Sequence, residues 1–100
     1  MKVQSLVVSA KARNDIETAY EWYEGISQGL GDKLVNQIEF ILEAIFSFLG
    51  LYSITFQNYR QASIKGFPYV LIYLIEGDTI VVESLFHTSR DPDEKFQVVD

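Results

Sequence analysis

The segment "YVLIYLIEGDTIVVESLFH", Tyr69 to His87, constrains the fold of this chain more than any other. Gly77-Asp78 at its centre suits a two-residue hairpin turn with glycine first. The turn sets a register in which Glu76 faces Thr79, Tyr73 faces Val82, Leu71 faces Ser84 and Tyr69 faces Phe86. One face then carries Tyr69, Leu71, Tyr73, Ile75, Ile80, Val82 and Phe86. The other carries Val70, Ile72, Leu74, Val81 and Leu85, with Glu83 and His87 among them. Small antiparallel sheets usually keep one face wet. Here both faces are apolar, so each needs a cover.

The cover for one face is written upstream. Ser9 is placed to cap a helix over Ala10–Ser27, with Ala12, Ile16, Ala19, Tyr20 and Tyr23 on one face. Gly25, Gly29 and Gly31 read as turn residues. A second helix follows over Leu30–Leu49, with a stripe of Leu34, Ile38, Ile41, Leu42, Ile45 and Leu49, widened by Phe40, Phe46 and Phe48. The short linker makes the two helices an antiparallel hairpin. Gly50 closes the second. Lys2–Val8 reads as a first strand. A period of two runs from Tyr52 to Lys65, interrupted at Asn58 and Arg60, and gives a strand over Tyr59–Lys65. Gly66-Phe67-Pro68 turns the chain into the hairpin. The fold class is therefore α+β: an N-terminal strand, then a two-helix hairpin packed on one face of an antiparallel sheet, in the order β-α-α-β-β-β. Two helices cover one sheet face only.

One hundred residues make one domain, residues 1–100, with room for a core. No cysteine is present, which excludes disulfides and thiolate sites and fits a cytoplasmic setting. One histidine leaves little for a zinc site, and no metal or cofactor is expected. The N-terminus is broken by Gln4 and Ser5 and lacks the pattern of a signal peptide. The greasiest stretch, Phe40–Tyr52, is interrupted by Glu43 and is too short to cross a bilayer. Net charge is −6, and no basic block appears in either half. Direct nucleic-acid binding is not expected, since it depends on clustered Lys and Arg.

Several features together carry a resemblance to a known family: Ala12, the Tyr23 of "EWYE", Leu30-Gly31, Arg60, Phe67-Pro68-Tyr69, Tyr73, His87 and Arg90-Asp91-Pro92. With them the chain, from Val8 to Phe96, resembles the RelE/ParE toxins of bacterial type II toxin–antitoxin systems. It is most similar to the ParE or plasmid-stabilisation branch. The resemblance implies a small cytoplasmic toxin held inactive by an antitoxin. A ParE-like member blocks DNA gyrase by binding. A RelE-like member cuts mRNA on the ribosome. A third reading is a non-toxic binding module on the same fold. The expected partner is a cognate antitoxin, with DNA gyrase and a second copy of the chain as further candidates.

RelE-like catalysis uses cations on the sheet and a C-terminal tyrosine. In this chain Val70 stands at the sheet arginine, Gln61 and Ser63 stand near the lysines, and Phe96 replaces the tyrosine. Without a metal, that chemistry needs cations to stabilise developing charge. Arg90, His87 and Arg60 remain as catalytic candidates. His87 is either a general base or a strand-end residue bonded to Asp91 or to backbone. Arg90 either grips a phosphate or carboxylate or pairs with Asp91 or Asp93. The second sheet face, with Val70, Ile72, Leu74, Val81 and Leu85, is expected to be covered by a partner or by the C-terminal tail, and with Arg60 and Arg90 it forms the expected partner-binding surface. Trp22 is either a partner anchor or a half-buried helix residue.

Overall fold

The computed structural model describes residues 5–47, 54–56 and 58–88. The predicted helix end at Leu49–Gly50, and Arg90, Asp91 and Phe96, lie outside the described residues. The elements are β1 (Ser5–Val8), α1 (Ala10–Ile26), α2 (Leu30–Ser47), β2 (Ile54–Phe56), β3 (Tyr59–Ser63), β4 (Tyr69–Glu76) and β5 (Thr79–His87). They form one sheet in the order β1-β5-β4-β3-β2 with the two helices against it.

Two features correct the expected architecture. The sheet is mixed, because β1 runs parallel to β5 with Ser5 opposite Thr79 and Val8 opposite Val82. The stretch before Tyr59 also contributes its own short strand, β2, which turns back on β3. Between β1 and its parallel partner β5 the chain makes both helices and the strands β2, β3 and β4.

Ser9 begins α1 as expected. Its hydroxyl oxygen accepts the Ala12 N–H at 3.0 Å. The same hydroxyl donates to the Glu83 carbonyl at 2.9 Å, and the Ser9 N–H donates to the Val82 carbonyl at 2.9 Å. One residue therefore caps the helix and anchors it to β5.

The helical hairpin turns at Gly29, whose φ of 90° suits glycine. Gly25 and Gly31, expected in the turn, lie inside α1 and α2 instead. Gly31 serves close approach: a Cβ there would sit 2.7 Å from the Tyr20 carbonyl oxygen and 2.7 Å from Glu24 Cγ. The Glu24 carboxylate accepts the N–H groups of Gly31 at 2.8 Å and Gly29 at 3.2 Å, and so caps the start of α2.

The main core joins Ala12 and Ala19 of α1 and Leu34, Ile38, Ile41 and Ile45 of α2 to Leu71, Tyr73, Ile80, Val82 and Leu85 of the sheet. Burying each large aliphatic side chain here contributes roughly 1.5–3 kcal/mol. A second, separate cluster of Val70, Ile72 and Phe86, with Tyr59 packed against it, occupies the face away from the helices.

The register of β4 on β5 follows the turn from Glu76–Thr79 to Tyr73–Val82, then slips by one. Ile72 faces Ser84, Leu71 faces Leu85, Val70 faces Phe86 and Tyr69 faces His87. Glu83 is the extra residue, a β-bulge. Beyond it the two faces of β5 exchange. Leu85 and His87 turn to the helix side and Phe86 to the far side, the reverse of the expected placement.

Candidate functional site

The bulge is tied to α1 by two side chains. Ser9 takes the Glu83 carbonyl, and Asp15 Oδ2 accepts the Leu85 N–H at 3.1 Å. These bonds serve backbone groups that an interrupted ladder would leave unpaired. Asp15 Oδ2 also meets Lys11 Nζ at 2.9 Å on the helix surface.

By turning His87 toward the helices, the bulge places it against α1. His87 meets Tyr69 edge to face at 5.1 Å. Tyr69 lies 6.2 Å from Tyr23, and Tyr23 lies 5.1 Å from Phe67, both also edge to face. Tyr23, Tyr69 and His87 line a cleft of about 490 Å³ between α1 and the ends of β4 and β5. Asn14, Asp15, Thr18 and Trp22 of α1 line it as well. Trp22 is 66% exposed, so its ring is presented to solvent at the rim.

The sequence-predicted residues divide. His87 enters the cleft. Arg60 lies elsewhere, half-buried on the helix-side face of β3 opposite Tyr73. Arg90 lies outside the described residues. Of the expected partner surface, Val70 and Ile72 are 5% and 2% exposed in the single chain. They are core residues of the second cluster, not an open patch. Leu85 is buried on the opposite face, carried there by the bulge. Leu74 and Val81 pair with each other on the far face and stay partly exposed.

Sequence reasoning passed over Asp15 and Thr18. The available signal was their spacing from Trp22, i, i+3 and i+7, which sets all three on one helical flank beside the buried stripe. Among the described residues, no group of three or more His, Asp or Glu side chains could hold a metal ion. No helix among them is long and apolar enough to cross a membrane.

Comparison with known proteins decides the family. Residues 6–92 match the family model for the ParE toxin of the type II toxin–antitoxin system, parDE. The chain belongs to the ParE toxin family. No curated protein sequence matches it. Similar solved structures include a chain of the chromosomal ParDE system of P. aeruginosa, 17% identical, with a TM-score of 0.74 over 85% of this chain and 96% of that one. YafQ from E. coli strain BL21(DE3) is 14% identical, with a TM-score of 0.60 over 92% and 97%. The YoeB dimer of Staphylococcus aureus is 19% identical, with a TM-score of 0.59 over 87% and 99%. At these identities the likeness is one of fold. In the fold itself, Gly31 lies where the two helices approach closely, and Phe67 and Tyr69 both pack edge to face on Tyr23.

Proposed function

We propose that this ParE-family toxin acts in the cytoplasm by contact, binding and blocking DNA gyrase, and is neutralised by a cognate protein antitoxin. The observation that carries the reading is the composition of the sheet face away from the helices. Where ribonuclease chemistry needs cations, this face holds the apolar cluster of Val70, Ile72 and Phe86. A buried apolar face can neither bind a phosphate nor stabilise the charge of a phosphoryl transition state. The net charge of −6 also disfavours approach to RNA.

Arg60 and Arg90 carry the contact in this reading, since Arg makes paired hydrogen bonds that Lys cannot copy. The test combines three readouts on purified protein and on induced cells: gyrase supercoiling, mRNA cleavage on translating ribosomes, and growth arrest. Inhibited supercoiling with no cleavage is expected. Arg60→Ala and Arg90→Ala should relieve arrest while thermal melting is unchanged. Specific A-site cleavage, abolished by Arg90→Ala, would replace this reading with the RelE-like one. Full toxicity in the double variant would remove the arginines from it.

A further inference from the structure

The cleft between α1 and the ends of β4 and β5 has a composition that neither the family nor the proposed contact with gyrase explains. Among the described residues it is lined by Trp22, Tyr23, Tyr69 and His87 together with one carboxylate, Asp15, and by no lysine or arginine. We infer that this cleft receives an arginine side chain from a partner polypeptide. The guanidinium stacks on Trp22, and its charge faces Asp15. The inference concerns binding alone and stands apart from toxicity.

Three observations converge on a flat cation. A tryptophan ring is the strongest aromatic partner for a cation, and Trp22 is 66% exposed at the rim. Edge-to-face packing of Tyr23 on Tyr69 and of Tyr69 on His87, with ring planes 72° and 85° apart, holds three aromatic rings in fixed orientation among the residues that line the cleft with Trp22. Asp15 supplies the countercharge. Its two hydrogen-bonded contacts, to Leu85 N–H and to Lys11 Nζ, both fall on Oδ2, and a carboxylate carries a second oxygen.

Lys11 is the natural competitor. It is a surface lysine with a 53% exposed side chain, and such pairs are weakly held. A guanidinium, planar and less strongly hydrated than an ammonium, can displace or share it. The volume of about 490 Å³ exceeds what one side chain fills, which favours an arginine within a chain over a free small cation.

Trp22 is the single tryptophan, so its emission reports on the cleft directly. The probe is an acetylated, amidated Gly-Ser-Arg-Ser-Gly peptide titrated into the full chain. Matched peptides carry citrulline or lysine in place of arginine. A saturable change in emission in the millimolar range is expected with arginine, weakened about tenfold or more by citrulline, which keeps the shape and loses the charge. Asp15→Asn keeps an acceptor for Leu85 N–H and should weaken binding. Lys11→Met should tighten it by releasing the carboxylate. The Lys11 variant leaves the Leu85 bond untouched, so it decides the matter even if Asp15→Asn melts early. Equal response to citrulline, equal response to lysine, no saturation, or an unchanged or weaker response in Lys11→Met would each overturn the inference.

Discussion

The Asp15 carboxylate accepts the backbone N–H of Leu85 at 3.1 Å across 70 residues of sequence, and so fixes α1 to the strand just beyond its bulge. Asp15→Ala leaves that N–H without its partner in a part-buried place. A loss of about 1–3 kcal/mol is expected, against a much smaller loss for Asp15→Asn, which retains an accepting oxygen. The Lys11 pair contributes little to the difference, because exposed pairs are worth about 0–1 kcal/mol. Urea denaturation of the two variants checks the ranking. Equal losses would mean that charge, not the hydrogen bond, holds the bulge.

Two glycines should respond to alanine with opposite sign. Gly31→Ala drives a methyl to 2.7 Å from the Tyr20 carbonyl, which belongs to backbone and cannot swing away. Overpacking of this kind costs about 1–3 kcal/mol. Gly25 lies in α1 with nothing within 4 Å of an added Cβ. There alanine should be neutral or stabilising by up to about 1 kcal/mol. Melting temperatures of the pair provide the check, and a destabilised Gly25→Ala would contradict it.

Tyr20 should make stability fall at alkaline pH. Asp32 first, then Glu24, hold its phenol above the ordinary value of 10.0, because both are negative and Asp32 also takes its hydrogen bond. A group whose pKa is raised by folding contributes stability that is fully present below its unfolded pKa. That contribution is lost as pH rises through the folded value. Stability of the native chain should therefore fall more steeply above pH 10.0 than that of Tyr20→Phe. Denaturation midpoints on both sides of that pH make the comparison, and parallel curves would refute it.

The hairpin, both helices and the Ser9 cap were legible in the sequence, because each rests on local pattern. The bulge was not, and the reason is the same dryness that made the hairpin conspicuous. Register is ordinarily betrayed by alternation, since a slip of one residue exposes the apolar set. Around Glu83 a slip only exchanges Leu85 for Phe86, one apolar residue for another, so the pattern looks equally good either way. Leu85 and His87 were consequently assigned to the wrong face, and Val70 and Ile72, expected to be covered by a partner or by the C-terminal tail, are already buried in the single chain. The parallel pairing of β1 escaped because nothing local distinguishes it from antiparallel pairing. The cleft was half legible. Trp22 and His87 stood out as isolated chemistry, whereas Asp15 looked like one more acid on a solvated helix flank.

The parallel seam between β1 and β5 joins residues 74 positions apart, Ser5 beside Thr79. During synthesis the first strand therefore emerges long before β5, its sheet neighbour among the described residues, exists. A nascent chain that has not yet reached Thr79 cannot close the sheet, and the loop it must close is among the longest the fold contains. Any product of interrupted translation upstream of that point lacks both the seam and the hairpin arm that completes the aromatic cleft. Closure of the sheet in this chain is thus gated by completion of β5.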